Sequence, residues 1–187
     1  PIENKLVVAV SSNALFDLEK EDQIFNEEGI EVYRKFQYEN KDKTLEKGLA
    51  FPFIKRFLNI NKVYEKEQPV EVVLLSKNSP ETGLRIFNSI RSHNLDISRA
   101  AFTSGKSPFN YIPVYNISLF LSTNEIDVLN AIEANFGAGR IIKTKIKDGD
   151  DDQELRVAFD FDGVIADDQA EKVFKESGQL GMFHNHE

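Results

Sequence analysis

Short apolar runs alternate along most of the chain with segments whose apolar residues recur at helical spacing. The runs rich in β-branched residues predict five strands, at residues 6–10, 70–76, 97–102, 117–121 and 139–142. Helical spacing predicts helices over residues 18–25, 32–36, 50–58, 78–90 and 125–136. Because strands that alternate with helices form sheets covered on both faces, we expect a three-layer, Rossmann-like α/β fold with a mostly parallel sheet.

Residues with special backbone preferences mark the ends of several predicted helices. Gly29 separates two helical patterns, and Pro52 and Pro80 each lie in a first turn, where proline is tolerated. Ser79 is a candidate N-cap for the helix that follows the second strand. From its spacing, we expect that helix to bury Leu84, Ile86, Phe87 and Ile90.

A sixth apolar run, predicted as a strand over residues 155–161, leads into an acidic turn. Asp160 and Asp162 stand two positions apart, so on an extended chain their carboxylates point to the same side and could converge on one cation. Mg²⁺ with a phosphate suits such a pair, because Mg²⁺ favours one or two carboxylates plus phosphate oxygens. An aspartate can also attack phosphorus and carry the phosphoryl group. The alternative interpretation is an acidic turn after a core strand, without further function.

Composition and charge narrow the class of protein. The chain has 187 residues, of which 41% are hydrophobic and 29% are charged, as expected for a soluble globular protein of one domain or one plus a fragment. No apolar run is long enough to span a bilayer, and no leader is recognised, so we expect no membrane partner. The absence of cysteine favours a cytoplasmic location. The net charge of −8 argues against nucleic acid as a partner, whereas a small anionic substrate remains compatible.

An acidic linker and an internal repeat suggest the domain organisation. Residues 147–154 are rich in Asp and predict a linker between a unit at 1–146 and a segment at 155–187. A shift of 149 positions (160 − 11) aligns the first strand and its following helix with the strand and helix at the later aspartates. Ser11 then takes the place of Asp160, and Asn13 that of Asp162. The first copy would keep the strand–turn–helix arrangement without either carboxylate, and we expect no tightly held Mg²⁺ there.

The segment Asp160-Phe161-Asp162-Gly163-Val164 resembles the first motif of the haloacid dehalogenase (HAD) superfamily of phosphotransferases. The resemblance implies that Asp160 is the nucleophile and Asp162 the general acid/base, and that both help to hold Mg²⁺, Asp162 through its backbone carbonyl. It also implies phosphate-binding positions, at Gly163, Ser76 and Lys106. For Ser76 and Lys106 we prefer the interpretation that they are a capping hydroxyl and a surface charge in a relict site.

Several further segments extend the resemblance to the type I cytosolic 5′-nucleotidase family, namely residues 9–16, 50–53, 85–90 and 159–164. Such enzymes remove phosphate from nucleoside monophosphates such as AMP with Mg²⁺. The family's second unit continues with Ser/Thr, Lys and acidic motifs that we do not find before Glu187. We therefore expect a degenerate HAD-like first unit followed by the opening strand and helix of a second. The alternative is a catalytically silent nucleotide-binding or assembly module, or an inactive fragment of the larger enzyme.

The apolar segment at 155–187 also predicts an assembly. A strand and an amphipathic helix without partners of their own require a surface to cover their apolar faces. We expect the segment either to pack on the sheet of the first unit or to pair with the same segment of another molecule, giving a homo-oligomer.

Overall fold

The computed structural model describes residues 4–80, 83–143 and 152–160 of the chain. Two compact units are present, Pro1–Glu154 and Leu155–Glu187. Within the described ranges, the first unit contains five strands: β1 (Leu6–Ser11), β2 (Val70–Ser76), β3 (Arg99–Phe102), β4 (Leu119–Ser122) and β5 (Ala138–Arg140). Its helices there are α1 (Ser12–Leu15), α2 (Glu19–Glu28), α3 (Ile30–Glu39), α4 (Phe51–Val63), α5 (Gly83–Ser92) and α6 (Glu125–Glu133), with a 3-10 helix at Pro108–Tyr111. None of the described helices combines the length and apolar character needed to cross a lipid bilayer.

The five strands form one sheet in the order β3-β2-β1-β4-β5. Every neighbouring pair is parallel. The central strand β1 therefore lies between β2 and β4. The strand order runs outwards from β1 to β3, and the chain then crosses to the other side of β1 to form β4 and β5. This architecture confirms the predicted α/β fold with a parallel sheet. It also fixes where a ligand is expected, because such sheets bind ligands at the carboxyl ends of strands where the order reverses.

Helices cover both faces of the sheet. On one face, Val7 of β1 belongs to a buried cluster with Ile112, which follows the 3-10 helix, and Ala131 of α6. Val8 is equally buried and, because side chains alternate along a strand, points to the opposite face. On that face α4 packs near β2. The sheet is thus the middle of three layers, as the sequence predicts.

Several predicted details of the elements differ from the structure. β3 and β4 each begin two residues later than expected, and α6 ends at Glu133 rather than at residue 136. The expectation that α5 buries Leu84 is wrong, because that side chain is exposed, whereas Ile86 and Ile90 are buried. Leu84 lies two positions before Ile86, which is about half a turn around a helix of 3.6 residues per turn, so it points towards solvent.

The strand predicted at 155–161 does not form in its described part. Residues 152–160 contain no helix or strand, and Val157 and Phe159 are 53% and 69% exposed. A run of β-branched and apolar residues becomes a strand only where a neighbouring strand satisfies its backbone groups. The end of the predicted linker is held on the first unit, because the Nε atom of Arg56 donates to the carbonyl oxygen of Asp152 at 2.7 Å. Residues 144–151, which include most of that linker, lie outside the described ranges.

We predict that Gly48→Ala destabilises the first unit by about 1–3 kcal/mol through a steric clash. A Cβ atom at this position would lie 2.6 Å from the carbonyl oxygen of Ala14 and 2.7 Å from the backbone nitrogen of Phe16. Backbone atoms cannot move aside as the end of a side chain can. Urea denaturation measures the loss, with the exposed neighbour Leu49→Ala as the control. Equal stability of Gly48→Ala and the parent chain would contradict this close packing.

Candidate functional site

A cavity of about 730 Å³ opens at the carboxyl ends of β1, β2 and β4. It lies where the strand order of the sheet reverses, the position expected for a ligand site in an open α/β sheet. Its walls come from the ends of these strands, from α2 and α3, and from the loop after β3. All of the described lining residues belong to the first unit.

An ion pair between an exposed lysine and a buried carboxylate lies in the lining of this cavity. The Nζ atom of Lys77 lies 2.8 Å from the Oδ2 atom of Asp127, and the two side chains are 40% and 5% exposed. The Ser107 hydroxyl donates to the other oxygen of Asp127 at 2.8 Å. Asp127 is in the first turn of α6, where a carboxylate is favoured by the helix dipole, and its backbone N–H donates to the side chain of the N-cap residue Asn124. The carboxylate is therefore fixed, and Lys77 projects from it into the cavity.

The residues aligned with Asp160 and Asp162 in the internal repeat also line the cavity. Ser11 caps α1 and accepts a hydrogen bond from the backbone N–H of Ala14 at 3.3 Å. The Nδ2 atom of Asn13 donates to Asp22 at 2.9 Å. Burial raises the pKa of the Asp22 carboxyl above its ordinary value, and the neighbouring charges of Glu21 and Asp17 raise it further. Both aligned residues thus act as neutral hydrogen-bonding groups.

The structure places the two phosphate-binding residues implied in the first unit outside the described lining of the cavity. Ser76 is almost fully buried behind the cavity, with its hydroxyl 3.0 Å from that of Ser12 and accepting from the backbone N–H of Asn78. Lys106 is exposed on the loop after β3, and neither residue is among those that line the cavity. Among the described residues, the positive side chains that do line it are Lys77, directly after β2, and Arg34 of α3. A phosphate contact by Ser76 or Lys106 stays a prediction.

Three further lining residues were not identified from the sequence. Asn78 follows Lys77 at the end of β2, and its side-chain oxygen accepts from the Tyr33 hydroxyl at 3.2 Å. The rings of Phe25 and Tyr33 pack edge to face at 5.6 Å. Polar residues directly after a strand are a usable signal, so Lys77 and Asn78 could have been found. Phe25 and Tyr33 could not, because only the folding of α2 and α3 over the sheet edge brings them there.

The later acidic turn is described only in part. Asp160 is exposed, and Asp162 and Gly163 lie outside the described residues. Across the described ranges, no group of three or more His, Cys, Asp or Glu residues is arranged to hold a metal ion. The roles expected of Asp160, Asp162 and Gly163 stay predictions.

Comparison with known proteins identifies the family. The family described as 5′-nucleotidase matches residues 1–187. The chain is 32% identical over 180 residues to the human protein named cytosolic 5′-nucleotidase 1B, an alignment that covers 94% of this chain and 30% of that protein. A solved structure, the HAD domain of effector protein Lem4 from Legionella pneumophila, aligns with a TM-score of 0.42 and 11% identity over 76% of this chain and 89% of that chain. The chain belongs to the 5′-nucleotidase family, which confirms the resemblance found in the sequence, and it spans about 30% of the length of this curated relative.

We predict that the first-unit cavity holds no tightly bound divalent cation at Ser11 and Asn13, because neutral oxygens bind a hard dication poorly. In an Asp160→Asn/Asp162→Asn chain, Mn²⁺ should leave the amide NMR signals of Ser11 and Asn13 sharp at micromolar concentration. Adding Ser11→Asp and Asn13→Asp to that chain should create a binding site for Mn²⁺ and so produce paramagnetic broadening at these positions. Selective broadening without the added carboxylates would contradict the prediction.

Proposed function

We propose that this chain carries the reacting carboxylates of an Mg²⁺-dependent 5′-nucleotidase that hydrolyses nucleoside 5′-monophosphates such as AMP. One observation carries the proposal: the chain belongs to the 5′-nucleotidase family over residues 1–187 and contains Asp160-Phe161-Asp162-Gly163. The relative is named a cytosolic 5′-nucleotidase, which supports the same class of substrate and a cytoplasmic location for this chain.

The proposed first step transfers the phosphoryl group to the protein. A carboxylate oxygen of Asp160 attacks phosphorus, and the bond between phosphorus and the 5′-oxygen breaks. Asp162 gives its proton to the departing 5′-oxygen, so the nucleoside leaves as a neutral alcohol. The product is an aspartyl phosphate at Asp160 and an ionised carboxylate at Asp162.

The proposed second step releases phosphate. The Asp162 carboxylate now takes a proton from a water molecule as the water oxygen attacks phosphorus. The bond between phosphorus and the Asp160 oxygen breaks, which returns the carboxylate of Asp160 and the protonated form of Asp162. Water supplies the oxygen gained by phosphate, so the cycle closes without any other reactant.

The donor set of the turn suits Mg²⁺. Asp160 and Asp162 offer hard, anionic oxygens, and Asp160 is exposed. These two residues would hold the ion, with phosphate oxygens and water as the other ligands. When bound, Mg²⁺ supplies positive charge beside the transferring phosphoryl group.

Phosphate release from AMP tests the proposal. The chain should hydrolyse AMP with Mg²⁺ and lose the activity in EDTA, and magnesium should restore it. Ribose 5-phosphate and para-nitrophenyl phosphate serve as comparison substrates, and kcat/KM should be highest for a nucleoside monophosphate. Hydrolysis that is unaffected by EDTA, or that favours the comparison substrates, would contradict the proposed function.

The second candidate is a catalytically silent nucleotide-binding or assembly module. Two observations favour it: the first-unit cavity presents Ser11 and Asn13 where the aligned turn has carboxylates, and the chain spans about 30% of its relative. Stoichiometric AMP binding with no release of phosphate in Mg²⁺ would support this candidate. The mass of the purified protein, compared with the length of its coding frame, then tells a fragment from a complete protein.

We further propose that residues 155–187 stabilise the protein or its assembly. The exposed side chains of Val157 and Phe159 support a surface that is covered in the assembled protein. Light scattering should show that a chain ending at Gly149 differs from the 187-residue chain in assembly state, or thermal unfolding should show that it is less stable. If the shorter chain matches the longer one in both measurements, the segment contributes nothing and the proposal is wrong.

A further inference from the structure

We infer that the cavity of the first unit is a second, noncatalytic binding site for a small phosphorylated ligand that carries a planar ring, such as a nucleoside monophosphate. The site is built from Lys77 and Asn78 at the end of β2 and from Phe25 and Tyr33 on α2 and α3. Asp160 is not among the described residues that line it. The site is therefore an addition to the proposed hydrolytic centre, and its existence does not depend on that centre.

The polar end of the cavity presents hydrogen-bond donors. The ammonium group of Lys77 uses one contact to hold Asp127, and its 40% exposed side chain leaves further N–H groups for a ligand. The Nδ2 atom of Asn78 is buried and has no hydrogen-bond partner among the described residues. A buried donor without an acceptor is unfavourable, and a phosphate oxygen would satisfy it. Donors from a lysine and an amide fit an oxygen-rich anion.

The other end of the cavity is aromatic and apolar. Phe25 is 47% exposed although its ring packs on the buried Tyr33, so one apolar surface of this pair faces the cavity and the solvent. Ile30, also half-exposed, extends this surface. A planar ring placed against Phe25 would remove this apolar area from water and gain the usual preference of aromatic rings for one another. The cavity volume of about 730 Å³ lies within the range of small-molecule sites.

At the two positions aligned with Asp160 and Asp162, the same cavity has no carboxylate for phosphoryl transfer. Ser11 stands where the internal repeat aligns the nucleophile Asp160, and its hydroxyl oxygen already accepts the N-cap hydrogen bond of α1. Asn13, aligned with Asp162, has a neutral amide that donates to Asp22. Neither residue offers a carboxylate for attack or proton transfer. A bound phosphate ester would therefore leave unchanged.

Calorimetric titration of the Asp160→Asn chain in EDTA isolates this site, because the substitution and the removal of metal disable the proposed hydrolytic centre. The ligands are AMP, adenosine and inorganic phosphate. Two variants alter the aromatic and the polar parts of the lining separately: Phe25→Ala removes the exposed ring, and Lys77→Met/Asp127→Asn removes both charges of the ion pair together, so that no buried carboxylate is left unpaired. Tyr64→Ala and Lys66→Met are matched controls, because both residues are exposed outside the described lining of the cavity.

AMP is expected to bind with one site per chain and at least about tenfold more tightly than adenosine or phosphate, because only AMP fills both ends. Each cavity variant should weaken AMP binding by about tenfold or more, and each control should leave it unchanged. Absence of AMP binding, or an affinity equal in Phe25→Ala and Tyr64→Ala, would overturn the inference. If the double variant does not fold, the Phe25→Ala comparison still decides. If the parent chain binds AMP but does not hydrolyse it, the result would count against the proposed function and not against this inference.

Discussion

Asp160→Asn is expected to reduce kcat for AMP hydrolysis by about a thousandfold or more while the fold is retained. The substitution keeps the size of the side chain and its hydrogen-bonding shape, but an amide oxygen is a far weaker nucleophile than a carboxylate oxygen. Because Asp160 is exposed, we expect the substitution to leave the packing of the first unit unchanged. Phosphate release, measured together with circular dichroism, separates the loss of chemistry from a loss of structure.

The matched control is Asp96→Asn, which removes the same charge from another exposed position. It should leave kcat unchanged. Substantial hydrolysis by the Asp160→Asn chain, at a rate similar to that of Asp96→Asn, would exclude Asp160 as the nucleophile. The proposed covalent route would then be wrong.

Arg85→Met is expected to destabilise the first unit by about 3–5 kcal/mol, the largest stability effect that we predict. An NH1 nitrogen of Arg85 lies 2.5 Å from a carboxylate oxygen of Glu21, with the two side chains only 9% and 6% exposed. Arg85 also donates to Gln37 and to the carbonyl oxygen of Lys43. The arginine thus joins α2, α3 and the segment after α3 to α5. Methionine keeps the bulk of the side chain but leaves the carboxylate of Glu21 buried without its positive partner.

Urea denaturation of three variants tests this explanation. Glu21→Gln/Arg85→Met removes both charges and should be clearly more stable than Arg85→Met alone, because no uncompensated charge remains. Arg140→Met breaks the exposed pair with Glu125 and should cost at most about 1 kcal/mol. If Arg85→Met is no less stable than Arg140→Met, burial of the ion pair does not contribute as described.

The sheet could be predicted because the residues that indicate each strand lie together in one short stretch of sequence. The runs that form β1 and β2 are dense in Val and Leu, as expected for central strands buried on both faces. The alternation of strands and helices then limits the topology. The lengths of the helices were predicted less accurately. The helix α4 continues to Val63, beyond its predicted end at residue 58, because tertiary neighbours bury one of its faces, and a short window of sequence does not show those neighbours. The run at 155–160 reads as a strand for the same local reasons, but a strand also needs a hydrogen-bonded neighbour.

The candidate sites were predictable to different extents. The acidic turn at Asp160 was found because two carboxylates and a glycine are adjacent in sequence. The pair of Lys77 and Asp127 was missed because its members are 50 positions apart (127 − 77) and meet only when β2 and β4 lie on either side of β1. Lys106 was considered as a phosphate contact for its place after a strand, with a surface charge as the preferred interpretation, and in the structure it is exposed and is not among the described lining residues.

Mapping of the phosphorylated residue during turnover tests the central claim most directly. The chain would be mixed with AMP and Mg²⁺, quenched in acid, reduced with borohydride to convert an aspartyl phosphate to homoserine, and analysed by peptide mass spectrometry. The account predicts the modification at Asp160 and an unmodified Ser11. A phosphoryl group on Ser11, or steady release of phosphate with Asp160 never modified, would contradict it.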